Sequence, residues 1–421
     1  MTPPTLDDDA LAAAAAVDQD RLWHRLMEIA RFGATPRGGV NRQAFSAEDA
    51  AARRQMAAWA EELGLSCLTD EIGNLYLRRA GRDPDAAPVM TGSHLDSQPT
   101  GGKFDGAYGV IAGLEALHAI SAAGLETARP IELVAWSNEE GSRYQPGLMG
   151  SGVFSGDMAV ADLLPITDGE GISVETALAD LLAATPGLPK RPAAPPAAYV
   201  EAHIEQGPIL EREARTIGVV GGVQGMRWFT IEVLGEAAHA GTTPRSARRD
   251  ALKAAARMVT ALEEAFADAE DILRFTVGRF EVEPGSPNTV PARALFSIDF
   301  RHPDAETIER LCGRIEDICR AQAGDCPVTV TQISGVAPCL FDPAVVGTVR
   351  DAAERLALPR RDIMSGAGHD AMNMAGLCPT GMIFVPCEAG VSHNEAENAR
   401  PEDLAAGTRV LAASLVALAN A

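Results

Sequence analysis

Apolar positions along the chain follow two rhythms. In "FSAEDAAARRQMAAWAEELGL" (45–65), Met56, Trp59, Ala60 and Leu63 recur at i, i+3, i+4 and i+7, the spacing of one helical face. Ser46 and Asp49 supply the S-x-x-D signal for its start, and a mobile segment precedes it. "PVMTG" (88–92) reads as a short buried strand running into a Gly-rich stretch, "TGSHLDSQPTGGKFDGAYG" (91–109). "GVIAGLEALHAI" (109–120) then places Val110, Ile111, Leu114 and Leu117 on one helical face. "IELVAWSNEEG" (131–141) and "GMIFVP" (381–386) are further apolar strands. Strands alternating with helices predict an α/β layer: a mixed, largely parallel sheet with helices on both faces. In such sheets ligands collect beyond the carboxyl ends of the strands.

The texture changes after the Pro-rich connection "PGLPKRPAAPP" (186–196). "RWFTIEVLG" and "VTVTQIS" alternate as half-exposed strands do, with helical stretches at 246–267 and 304–322. The order strand, helix, strand, strand, helix, strand predicts an inserted α+β domain of ferredoxin-like type with one open face. We place it at 217–332, with 1–216 and 333–421 forming the first domain.

A chain of 421 residues fits two domains better than one core. Its formal charge of −22 repels polyanions, which counts against nucleic acid or an anionic membrane as the main partner. The seven cysteines are odd in number and include no CxxC pair, so neither a disulfide framework nor a thiolate zinc site is supported. Reduced thiols in a cytoplasmic protein are expected. Acidic residues precede the short apolar run near the start, which is wrong for a signal peptide, and no stretch reaches membrane-spanning length.

The Gly-rich stretch holds His94, Asp96 and Asp105. Its glycines match neither the Walker spacing nor G-x-G-x-x-G before a helix, so a phosphate cradle is disfavoured. A plain turn explains the glycines but not a histidine and an aspartate at strand-end positions. A metal site explains both if ligands occur elsewhere. "SNEEG" offers Glu139 and Glu140, "YVEAHIEQGPILE" offers His203 and Glu205, and "VSHNEAEN" offers His393. Each singly has an ordinary structural explanation. Together, imidazoles and carboxylates without thiolate suit a pair of divalent ions bridged by a carboxylate.

The ordered motifs "GSHLDSQPTGGKFDG", "SNEEGSRY", "HIEQGP", "AHAGTTP", "PNTVP", "SGAGHDA" and "VSHNEAE" resemble the dinuclear zinc amidohydrolases of the hydantoinase/carbamoylase family. They run from about residue 92 to 397, nearly the whole chain. The resemblance implies that Asp105 bridges two metals, that His94 and His203 complete one, and that Glu140 and His393 complete the other. It makes Glu139 the general base and Asp96 the group that orients His94. The inserted domain becomes a lid that pairs two chains into a homodimer. Its His239 would stabilise the developing oxyanion, Asn288 and Arg301 would hold a substrate carboxylate, and Gln206 and the backbone near Gly366 would line the pocket.

Plain alternatives stand beside these roles, with Asn288 as a turn residue and Arg301 as a solvated strand end. His24 and His118 read as helix residues and His302 as solvated, while His369 either buttresses the pocket or starts a helix. The implied activity is hydrolysis of an N-carbamoyl-L-amino acid to the amino acid, carbon dioxide and ammonia. A β-ureidopropionase or allantoate amidohydrolase is the alternative within the family, and a non-catalytic ligand-binding protein the alternative outside it. Zinc is the foremost metal, and manganese, cobalt or nickel also suit nitrogen and oxygen ligands.

Overall fold

The computed structural model describes residues 6–421. The chain divides into two compact units, Met1–Gly222 with Leu340–Ala421, and Val223–Cys339.

The first unit is built on a nine-stranded sheet. Four parallel strands form its centre, in the order Ile131–Trp136, Val89–His94, Ala198–Ile204, Thr380–Val385. Antiparallel strands extend it on both sides, Leu75–Arg79 and Ser66–Thr69 at one edge and Ile217–Val223 beyond Thr380–Val385. Every residue of the four central strands is buried, so helices and loops cover both faces, which is why these strands read as near-continuous apolar runs. Glu132, caught inside, is matched by cations: it pairs with Arg78 at 2.8 Å and Arg191 at 2.9 Å.

Helix Ala107–Ala122 follows the Gly-rich stretch and packs on the central strands, while Pro401–Ala419 packs on both that helix and the sheet. The sequence pattern gives Ala107–Ala122 one apolar face, yet it is buried almost all round because Pro401–Ala419 covers its far side. The Ser46 signal is realised: its side chain accepts from the Asp49 N–H, and Asp49 in turn accepts from the Phe45 N–H and pairs with buried Arg53. The expected mobile start is not what the described part shows. Asp8–Ala15 and Gln19–Ile29 are helices with buried faces, the first packed on Pro401–Ala419. Residues 1–5 of that segment lie outside the described residues.

The second unit is a four-stranded antiparallel sheet, ordered Val328–Val336, Gly225–Leu234, Arg293–His302, Arg274–Glu283, with helices Ala251–Ala265 and Ala305–Ala323 on one face. Alternation along the strands turns Ile231, Val233, Phe296, Ile298 and Phe300 toward Met258, Leu262, Ile308, Leu311 and Ile315 of the helices. The other face is mixed: Trp228 and Leu234 are exposed among Arg293–Glu232, Arg293–Glu283 and Arg301–Asp299 pairs. Both ends of this unit lie further along the chain than the expected 217 and 332. Ile217–Val223 belongs to the first unit's sheet, and Val328–Val336 is hydrogen-bonded along its length to Gly225–Leu234. No helix among the described residues is long and apolar enough to cross a membrane.

Candidate metal centre

The parallel strands deliver polar residues to one end of the sheet. His94 closes Val89–His94, Glu139 and Glu140 follow Ile131–Trp136, His203 lies near the end of Ala198–Ile204, and His393 follows Thr380–Val385. Asp105 directly precedes helix Ala107–Ala122. They converge on Asp105. Its Oδ1 lies 3.2 Å from His203 Nε2 and 3.8 Å from His94 Nε2, and its Oδ2 lies 3.4 Å from His393 Nε2. His393 Nε2 is also 3.5 Å from Glu140 Oε2. The donor atoms of His94, Asp105 and His203 lie within 4.8 Å of one another, and so do those of Asp105, Glu140 and His393. Two three-donor groups sharing one carboxylate can hold two divalent cations.

Local structure explains the convergence. His94 Nδ1 meets the Asp96 carbonyl at 2.8 Å and His203 Nδ1 meets the Ile204 carbonyl at 2.9 Å. These carbonyls take the Nδ1 protons and leave both Nε2 atoms facing the cluster. Gly106 begins the next helix at φ 63°, and a Cβ there would stand 2.3 Å from the His94 ring, so the glycine is needed for both its conformation and its size. Asn138 at φ 52° bends the chain after its strand, a conformation Asn tolerates, and its side chain donates to the Tyr144 carbonyl. Glu139 Oε2 then faces His94 Nε2 at 3.5 Å, while Glu140 Oε2 faces His393 and accepts from Gln98 at 2.7 Å.

Asp96 reaches His94 through its main chain. Its main-chain carbonyl orients His94, and its carboxylate instead accepts the N–H groups of Glu139 (3.2 Å) and Glu140 (3.1 Å). One residue thus fixes an imidazole and both glutamates.

The cluster carries an excess of buried negative charge. Burial, then Asp370 and Glu140, push Glu139 well above the usual carboxylate range, and burial with Asp105 pushes Glu140 up to about 8. Burial would raise Asp105 too, but hydrogen bonds with His203 and His393 hold it well down. Asp105 with Glu201 pulls His203, against its burial, up to about 9, and Asp105 with Glu140 pulls His393 up to about 9. Divalent cations neutralise such an excess, so the donor set fits them in both type and charge.

The model of the family described as peptidase family M20/M25/M40 matches residues 90–417. An N-carbamoyl-L-amino-acid amidohydrolase of Rhizobium meliloti is 41% identical over 399 residues, covering 94% of this chain and 95% of its own. The allantoate amidohydrolase of Escherichia coli (strain K12) is 36% identical, covering 96% and 98%. A crystal structure of an amidase of the hydantoinase/carbamoylase family from Burkholderia multivorans superimposes with a TM-score of 0.92 at 46% identity, covering 96% and 98%. The chain belongs to the M20 family, among its hydantoinase/carbamoylase amidases. M20 enzymes are metal-dependent hydrolases, and in this member the imidazole–carboxylate groups around Asp105 are the matching feature.

Other residues of this M20 amidase fall into place around the cluster. Gln206 donates to Asp105 Oδ2 at 2.9 Å. Gly366 is exposed, with open space where a Cβ would stand. Glu205 lies apart in role, since both its oxygens accept backbone N–H groups of Ile209 and Leu210. His369 does both things open to it. It is the N-cap residue of helix Asp370–Ala375, and its buried ring packs edge-on against His203 with centroids 4.6 Å apart.

In the second unit, His239 is exposed and its Nδ1 accepts from the N–H groups of Gly241 (3.0 Å) and Thr242 (3.2 Å), which leaves its proton on Nε2. Thr289 pairs opposite His239, and the Ala240 N–H donates to the Asn288 carbonyl, so Asn288 lies beside His239. Arg301 is forked onto Asp299, with Nη2–Oδ2 at 2.8 Å. Sequence reasoning passed over Glu397, Ser392, Glu201 and Asp370. Glu201 accepts from Ser93, Tyr199 and the Ala371 N–H behind His203, and Asp370 accepts from Ser151. The second glutamate of "HNEAE" was the available signal for Glu397.

Proposed function

We propose that this chain is a cytoplasmic, homodimeric hydrolase that cleaves a ureido C–N bond of N-carbamoyl-L-amino acids, giving the L-amino acid, carbon dioxide and ammonia. The observation that carries this reading is the pair of donor groups sharing Asp105, with Glu139 beside them and not needed by either. The 41% identity to a protein named for this activity supports the substrate class. Seven cysteines, odd in number and with no CxxC pair, suit a reducing compartment.

His94, Asp105 and His203 would hold one ion, and Asp105, Glu140 and His393 the other, with zinc foremost among the metals that such ligands accept. Ions held there would supply Lewis acidity, which activates water and polarises a carbonyl oxygen. Glu139 takes a proton from the attacking water and returns it to the leaving nitrogen, its backbone fixed by the Asp96 carboxylate. His239 offers Nε2–H to the oxyanion that forms at the ureido carbon. Arg301 exchanges Asp299 for the substrate carboxylate, and Asn288, Gln206 and the Gly366 backbone bind the remaining polar atoms. In the dimer, lid domains pair and His239 serves the partner chain's centre.

The 36% identity to an allantoate amidohydrolase gives the second reading. Protein of measured metal content should be assayed against N-carbamoyl-L-α-amino acids, N-carbamoyl-β-alanine and allantoate. The highest kcat/KM is expected for the first group. Faster turnover of allantoate or the β-alanine derivative replaces the substrate assignment, and no turnover of any of them overturns the reading.

A further inference from the structure

Glu397 is 3% exposed and lies four residues past His393. Its Oε1 accepts two main-chain donors from another loop, the N–H groups of Phe104 (2.8 Å) and Asp105 (3.0 Å). Its Oε2 lies 3.2 Å from the Ser392 hydroxyl, which also reaches Asp105 Oδ2 at 2.7 Å. One carboxylate therefore grips the backbone of Asp105 directly and touches its side chain through Ser392. The loop is shaped to receive it: a Cβ at Gly102 would stand 2.0 Å from Glu397 Cδ, so only glycine lets the carboxylate approach.

These bonds join two segments that are nearly three hundred residues apart in sequence. One carries Asp105, and the other carries Ser392 and His393, which lie in the connection between the short 3-10 turn Glu388–Gly390 and helix Pro401–Ala419. His393 is half-exposed and its backbone stands at φ 52°, so its own burial does little to hold it. The distance between Asp105 Oδ2 and His393 Nε2 depends on a tie between the two loops, part of which Gln206 makes, its Nε2 lying 2.9 Å from Asp105 Oδ2 and 3.3 Å from Ser392 Oγ. The buried, charge-assisted set of hydrogen bonds at Glu397 supplies the rest.

We propose that Glu397 is a positioning residue for the metal centre: it clamps the Asp105 loop to the Ser392–His393 turn and so sets the spacing of the donor group Asp105, Glu140 and His393. This rests on the reading of Asp105 and His393 as ligands, and groups that orient ligands in this way typically contribute about 10–100-fold in metal affinity.

The test is Zn2+ affinity and stoichiometry, measured by chelator competition on the full chain, with folding checked by circular dichroism. Glu397→Ala should bind the second zinc at least ~10-fold more weakly while keeping the first. Glu397→Gln keeps an acceptor for both backbone N–H groups and should recover most of that loss, whereas Glu397→Met, which keeps the bulk but offers no such acceptor, should not. Ser392→Ala leaves the backbone bonds intact and should weaken the same zinc more mildly. Native two-zinc affinity in Glu397→Ala overturns the proposal; if that variant does not fold, native affinity in Ser392→Ala overturns it. His393→Ala in the same assay separates the two layers. Loss of a zinc there, with none in the Glu397 and Ser392 variants, removes the clamp alone, whereas two zincs retained in His393→Ala remove the ligand assignment beneath it.

Discussion

Glu139 and Glu140 are neighbours that face different partners, His94 for one and His393 with Gln98 for the other. Exchange of each for glutamine therefore has a different consequence. Glu139→Gln should keep both ions and lose about 100-fold or more in kcat, the scale of a missing general base. Glu140→Gln should instead lower occupancy of one ion. Metal analysis beside steady-state kinetics checks this, and an ion lost from Glu139→Gln but kept in Glu140→Gln reverses the two roles. At this scale the sequence displayed the chemistry of the proposed ligands, because His, Asp and Glu at strand ends are conspicuous. It did not display the carboxylates behind them. Glu397 and Glu201 act through contacts made only when distant segments meet, Glu397 with residue 104 and Glu201 with residue 93.

Helices Ala107–Ala122 and Pro401–Ala419 pack so closely that a Cβ at Gly407 would stand 2.3 Å from the Tyr108 hydroxyl and 2.4 Å from Val385 Cγ1. The same hydroxyl donates to the Leu404 carbonyl at 2.9 Å. Gly407→Ala gains helix propensity of up to about 1 kcal/mol, yet forcing a methyl into a filled interface costs about 1–3 kcal/mol. The expected net result is a lower Tm, read by thermal denaturation; an unchanged or higher Tm would show that the interface can yield. Periodicity made these elements legible where one face is wet, as in the alternating strands of the second unit. For Ala107–Ala122 it marked the helix and its face of Val110, Ile111, Leu114 and Leu117, but not the burial of most of the remaining surface.

For the whole molecule, the proposed dimer makes a strong prediction. Glu139→Gln and His239→Ala chains are each expected to be inactive alone. If His239 acts on the partner's centre, a mixed dimer contains one intact site: the His239→Ala chain keeps its base and receives His239 from the other chain. Activity should return on subunit exchange. A verified heterodimer that stays inactive rules out the shared site. The open face of the second unit would contribute Trp228 and Leu234 to such pairing, and its Arg–Glu and Arg–Asp pairs make it less apolar than the alternation implies, so specificity in the proposed dimer would be partly electrostatic.

The sequence by itself determined the α/β class, the inserted ferredoxin-like pattern and the residue types of the centre, because periodicity, strand-end placement and donor chemistry are local properties. Tertiary structure decided which donors share Asp105, that Asp96 holds the two glutamates by their backbone, that Glu205 caps a helix instead of joining the cluster, and where the insert begins and ends. Each of these depends on a contact across the sheet or on which strand a segment pairs with. Hydrogen bonds of that kind are specified by the fold as a whole and leave no periodic trace in the chain.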